Sequence, residues 1–149
     1  MTMAKDVNDA TILLAVEDSE ADARLIRESL KDGAIDCRLC VVEDGEKAMA
    51  FLRREGRYAD APRPNVIILD LNLPRKDGRE VLAEVKADSD LRRIPVTILS
   101  SSADQQDIRK AYDAGANCYV VKPIGLDEFV STTQSLVRFW LEVVKLPES

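Results

Sequence analysis

Val66-Ile67-Ile68-Leu69-Asp70 runs four apolar residues into an acid, and Leu71-Asn72-Leu73-Pro74-Arg75-Lys76-Asp77-Gly78 follows as a turn. A short apolar run rich in Val and Ile reads as a strand buried on both faces of a parallel sheet. In an open α/β sheet, ligands bind in the crevice beyond the carboxyl ends of the strands. Asp70 is therefore aimed at a site, although alone it fits equally a residue that closes a strand or caps a turn.

The neighbouring apolar runs are punctuated in the same way. Ile12-Leu13-Leu14-Ala15-Val16 ends in Glu17 and Asp18. If the two strands are neighbours, three carboxylates meet at one end of the sheet. Two of them about 4 Å apart repel by roughly 4 kcal/mol at an effective dielectric near 20. That forces protonation unless a cation intervenes. Oxygen donors in this pattern suit Mg²⁺ (or Mn²⁺), which keeps several waters and leaves room for phosphate oxygens.

Two further strand ends complete the pattern. Pro95-Val96-Thr97-Ile98-Leu99 runs into Ser100, Ser101 and Ser102, and Cys118-Tyr119-Val120-Val121 runs into Lys122-Pro123. A hydroxyl and an ammonium at that rim suit a dianionic phosphoryl group, one as donor and the other as counter-charge. Singly, Ser100 also fits a helix N-cap before Asp104, and Lys122 a solvated loop lysine. Acid, acid, hydroxyl and lysine at successive strand ends form a constellation.

Helical segments alternate with these strands. Glu20 to Lys31 repeats Ala23, Ile26, Arg27 and Leu30 at helical spacing, and Gly45 to Arg54 follows a more polar strand, Asp36 to Val42, expected at an edge. Gly56 to Pro64 reads as a loop. Asp77 with Glu80 reads as a capping box before Val81, Leu82 and Val85. Gln105 to Ala114 is stopped by Gly115, and a last helix begins near Leu126. Repeated β-α units predict a doubly wound parallel sheet of roughly five strands with five helices. Right-handed crossovers and an acidic site between the first and third strands favour the order 2-1-3-4-5.

Composition bounds the function. The 149 residues carry 21 basic and 27 acidic side chains, a net charge of −6, and a sequence pI near 4.8. This argues against a nucleic-acid binder, which needs a basic face. Cys37, Cys40 and Cys118 are odd in number. Cys37 and Cys40 are offset by three on one strand and so point to opposite faces, which favours buried thiols in a reducing compartment over a disulfide or metal pair. No signal peptide, membrane span or lipidation motif is read, so a cytoplasmic protein of one domain is expected.

These pieces together resemble the receiver domains of two-component response regulators. The matching elements are Val16-Glu17-Asp18, Leu69-Asp70-Leu71-Asn72-Leu73-Pro74 with Asp77-Gly78, Leu99-Ser100, and Tyr119-Val120-Val121-Lys122-Pro123, spread in order over about 11–146. The resemblance implies a flavodoxin-like (CheY-like) α/β fold. It makes Asp70 the phosphoacceptor, with Glu17 and Asp18 the acidic metal-binding pair and Asn72 a backbone-carbonyl ligand. Ser100 becomes the switch hydroxyl, Tyr119 the switch aromatic and Lys122 the phosphoryl contact. It also implies a Lys122-Pro123 bond of a kind usually cis in the family. Ser100 stands where most members have Thr, and Glu17 where Asp is also common. Asn72 and Ser102 occupy the slots that set phosphoryl lifetime.

Leu91-Arg92-Arg93-Ile94-Pro95, Asn117-Cys118-Tyr119 and Phe139-Trp140-Leu141 look like response regulators that serve bacterial phytochromes. The implied partners are a sensor histidine kinase, a phytochrome among the candidates, and a downstream protein target or phosphotransfer protein. The chain contains no histidine, so a phosphohistidine donor must belong to a partner. No output domain is read after Leu146, and action by protein–protein contact is expected, without nucleic acid or membrane. Such a switch is not a metabolic enzyme.

On the last helix, Leu126, Phe129, Val130, Thr133, Leu136, Val137, Trp140 and Val144 form one stripe expected to face the core. Phe139, Val143 and Leu146 fall on a flank, either an extension of the core or an apolar surface for homodimerisation through the fourth helix, fifth strand and fifth helix. Two rivals belong to other classes. A phosphatase of the haloacid dehalogenase type needs a second acid two residues after its nucleophile, where Asn72 stands. A flavodoxin-like cofactor binder needs a phosphate-accepting first loop, which Glu17-Asp18-Ser19-Glu20 would repel.

Overall fold

The computed structural model describes residues 11–148. Strands β1 (Ile12–Val16), β2 (Arg38–Val42), β3 (Val66–Leu69), β4 (Val96–Ser100) and β5 (Cys118–Val121) alternate with helices α1 (Glu20–Asp32), α2 (Gly45–Arg53), α3 (Gly78–Ala87), α4 (Gln105–Asp113) and α5 (Leu126–Arg138). All strand pairs are parallel, in the order β2-β1-β3-β4-β5. The expected topology is present, with β2 at one edge. The absence of a signal sequence concerned the first ten residues, which lie outside the described ones. Among those described, no helix is long and apolar enough to cross a membrane.

β1 and β3 are apolar throughout, and β4 but for Thr97 and Ser100, because both faces of the sheet are covered. On one face, Leu14, Val16, Ile67, Leu69, Val96 and Ile98 pack with Ala48, Met49, Phe51 and Leu52 of α2, with Val81, Leu82 and Val85 of α3, and with Ala111 of α4. On the other, Leu13, Ala15, Val66, Ile68 and Leu99 pack with Ile26 and Leu30 of α1 and Phe129, Leu136 and Val137 of α5. Each fully buried Leu, Ile or Val contributes about 1.5–3 kcal/mol. Cys40 packs into the first cluster and Cys37 into the second, so the offset of three does separate the thiols.

Local signals set the helix ends. Ser19, Asp44, Asp77 and Asp104 are N-caps whose side chains accept backbone N–H bonds from Asp22, Lys47, Arg79 and Gln106. Glu80 is exposed and does not close the expected capping box; the Asp77 carboxylate instead pairs with the Arg79 guanidinium. The helix ahead of Gly115 starts from Asp104, so Ser100 is free of capping duty. Gly115 itself has φ 103°, the left-handed region that ends α4. Gly56–Tyr58 forms one 3₁₀ turn within the expected loop.

The end of the chain departs from a uniform helix. Phe139–Val143 is a π-helical turn, closed by the Val144 N–H on the Phe139 carbonyl at 3.1 Å. Trp140 and Leu141 of this turn, and Leu146 beyond its end, pack against the second cluster, while Phe139 and Val143 stay exposed. Leu146 is thus half-buried against the core and not on the exposed flank, because the chain turns extended at Val144. Leu126 corrects the reading in the other direction. It is 66% exposed, because it opens α5 beyond the sheet rim before Phe129 makes the first core contact. Arg27 likewise points to solvent, and Ser29 takes the buried position beside Leu30. The Lys122–Pro123 bond is trans, against the cis bond implied by the resemblance; the small energy difference between isomers at X-Pro allows either.

Candidate functional site

One short hydrogen bond past each strand places the site. The backbone N–H of Glu17 donates to the Val42 carbonyl at 3.0 Å, that of Asp70 to Val16 at 3.1 Å, and that of Lys122 to Ser100 at 2.8 Å. The parallel ladders therefore extend one residue beyond β1, β3 and β5, and deliver those three side chains to one rim.

There they meet around a single ammonium. Lys122 Nζ lies 2.6 Å from Glu17 Oε1, 2.8 Å from Asp70 Oδ2 and 2.8 Å from Asp22 Oδ2. Asp70 and Glu17 are buried, at 7% and 4% exposure. The second oxygens are also held: Asp70 Oδ1 accepts the Asn72 N–H at 3.1 Å, and Glu17 Oε2 accepts the Ser19 N–H at 3.1 Å. Carboxylate oxygens of Glu17, Asp18 and Asp70 lie within 4.8 Å of one another, and Asp18 is exposed.

The charge balance has a direct consequence. Burial pushes the Glu17 carboxyl up from 4.5 to about 7, against the opposing pull of Lys122 and with a further push from Asp70. For Lys122, burial works against the charge, but the hydrogen bonds it donates to Asp22, Asp70 and Glu17 outweigh it and hold the ammonium above its ordinary range. One monocation among two buried acids, the half-buried Asp22 and the exposed Asp18 leaves excess negative charge. Such a set of hard oxygen donors fits a divalent cation of the Mg²⁺ or Mn²⁺ type. Glu17, Asp18 and Asp70 would hold it. Asn72 contributes its backbone N–H to Asp70, while its side chain points to solvent.

The loop after β3 closes over Asp70 only because position 78 is glycine. The Gly78 N–H donates to the Leu71 carbonyl at 3.0 Å. A Cβ there would sit 2.1 Å from the Asp70 carbonyl oxygen, inside any allowed contact.

Ser100, fully buried, and Tyr119 belong to an adjoining network. Ser100 Oγ accepts the Ser102 N–H at 3.3 Å, and Tyr119 Oη donates to the Ser102 carbonyl at 2.8 Å. Ser102 Oγ donates to Asp107 at 2.6 Å, and Asp107 accepts from Arg79 at 3.3 Å. Glu17, Asp18, Asp70 and Lys122 are thus brought together directly, while Ser100 and Tyr119 meet through Ser102. Asp22 and Arg79 were not among the expected residues. Asp22 had one signal, an acid in the first helical turn after the Glu17-Asp18 pair.

Comparisons with known proteins agree with this geometry. The model of the response regulator receiver domain family matches residues 13–134. Response regulator Rcp1 from Synechocystis sp. is 48% identical over 145 residues, covering 97% of this chain and 99% of that protein. The crystal structure of the Mn²⁺-bound form of Rcp1 superposes with a TM-score of 0.89 at 49% identity, over 93% of this chain and 99% of that one. The phosphorylated cyanobacterial phytochrome response regulator RcpA superposes with a TM-score of 0.90 at 47% identity and the same coverage.

Proposed function

For this chain, which belongs to the response regulator receiver domain family, we propose a phosphoacceptor switch in which Asp70 takes a phosphoryl group from a partner's phosphohistidine. The observation that carries the proposal is Asp70 itself. It is a buried carboxylate fixed at the rim by Asn72 N–H on one oxygen and by Lys122 on the other, beside the acids of a cation site.

In the transfer step an Asp70 carboxylate oxygen attacks phosphorus, the new O–P bond forms, and the donor's N–P bond breaks with its electron pair returning to the imidazole. A cation bound by Glu17, Asp18 and Asp70 would supply charge neutralisation for the phosphoryl oxygens, with the Asn72 carbonyl as a further ligand. Lys122 gives the anion a counter-charge 2.8 Å from Asp70 Oδ2. Ser100 offers a hydroxyl, and any shift of it reaches Tyr119 through Ser102. The phosphoryl group biases the switch by contacts it makes in one state and not in the other. Attack of water on the acyl phosphate returns the carboxylate and inorganic phosphate.

The similarity to Rcp1 and RcpA supports a phytochrome-type sensor histidine kinase as the donor, acting in the cytoplasm where ATP charges its histidine. The output is contact with a downstream protein or phosphotransfer protein. Exposed Tyr112, Val121, Phe139 and Val143 supply apolar surface for a homodimer through α4, β5 and α5. Incubation with acetyl phosphate and Mg²⁺ tests the central step: intact mass gains one labile phosphoryl group, absent with chelator and absent in Asp70→Asn. Uptake that survives in Asp70→Asn overturns the assignment.

A further inference from the structure

Lys122 has a third partner that stands outside the cation cluster. Asp22 lies in the first turn of α1, with its backbone N–H bonded to the cap Ser19 Oγ at 3.2 Å. Its carboxylate crosses to Lys122 Nζ at 2.8 Å, joining residues one hundred positions apart. The clustered oxygens are those of Glu17, Asp18 and Asp70, without Asp22. Two of the three carboxylates around the ammonium therefore belong to the cation site, and the third does not. When Glu17 and Asp70 are engaged elsewhere, Asp22 is the acid left holding Lys122.

We propose that Asp22 is a positioning residue for phosphoryl binding: a fixed counter-anion that competes with the phosphoryl group on Asp70 for the Lys122 ammonium. The inference rests on the phosphoacceptor reading above. Its logic is electrostatic. A dianion arriving at Asp70 must draw Lys122 from a carboxylate already in hydrogen-bond contact, and it also meets that carboxylate's charge. A divalent cation meets the same charge with the opposite sign. Asp22 thus strengthens cation binding and weakens phosphoryl engagement, whereas a residue that merely supports the fold would move both in one direction.

Asp22→Asn keeps the side chain's size and its place in the first turn, and removes the charge. Mn²⁺ affinity, measured by calorimetry, is expected to fall about two- to fivefold. Beryllofluoride affinity at saturating Mg²⁺, read by fluorine NMR, is expected to rise about three- to tenfold, each tenfold change being about 1.4 kcal/mol. Asp22→Glu, which restores the charge, returns both constants toward the wild-type values. Loss of both affinities in Asp22→Asn, or no change in either, overturns the inference while leaving the phosphoacceptor reading intact. A wild-type protein that takes up neither beryllofluoride nor phosphoryl overturns the reading, and the inference with it.

Discussion

Lys122 Nζ lies 2.8 Å from Asp70 Oδ2, with only 10% and 9% of the two side chains exposed. Removing one partner from such a pair leaves the other charge buried and uncompensated. Lys122→Met is expected to destabilise the cation-free protein by about 3 kcal/mol at pH 8. The loss should shrink near pH 6, where Glu17 keeps its proton, and a divalent cation should restore part of it. Urea unfolding with and without Mg²⁺ measures this.

Glu17 gives a pH dependence with a definite sign. Its carboxyl is raised from 4.5 to about 7 in the folded chain, so the folded state binds more protons than the unfolded state in that window. The stability from this group is fully present below about pH 4.5 and is lost as pH rises through about 7. Cation affinity moves the opposite way, because the ligand must first lose its proton. Between pH 6 and 8 the cation-free protein should weaken while Mn²⁺ binding tightens. Glu17→Gln should flatten the stability slope in denaturant unfolding with chelator.

Glycines 78 and 56 separate contact from conformation. Gly78→Ala drives a Cβ to 2.1 Å from the Asp70 carbonyl oxygen, and should displace the loop, lower stability by about 2–4 kcal/mol and slow phosphorylation. Gly56→Ala meets nothing within 4 Å, but sits at φ 59°. It should cost about 1 kcal/mol and leave phosphorylation unchanged. Chemical denaturation and a phosphorylation time course compare the two.

Trp140 Nε1 donates to Thr97 Oγ1 at 2.9 Å, tying the π-turn to a hydroxyl of β4 that is fully buried. Trp140→Phe keeps most of the ring packing and leaves Thr97 with the Cys118 thiol at 3.2 Å. A loss of about 1–2 kcal/mol is expected in thermal unfolding, and Thr97→Val in the same background should recover part of it.

The sheet and the acidic rim were legible because strands covered on both faces announce themselves as apolar runs, and their terminal residues follow from the register. Glu17, Asp70 and Lys122 each lie one residue past such a run. Asp22 escaped because the helix was read through its apolar positions, and its partner is one hundred residues away. Leu126 was misplaced because periodicity fixes an angle around a helix, not whether that turn overlies the sheet. Leu146 was misplaced because the helix ends at Val143 and Val144 is extended, so a fixed 100° step no longer applies where Leu146 stands.

As proposed, Asp70 receives the phosphoryl group from a histidine kinase. Phosphotransfer from an autophosphorylated phytochrome-type kinase, followed by borohydride reduction and peptide mass spectrometry, locates the modified residue. Asp70 alone should be reduced, to homoserine, in the Mg²⁺ reaction and not in its absence. Modification at Asp18 or Glu17 instead, or phosphorylation that no longer depends on the cation, would contradict it.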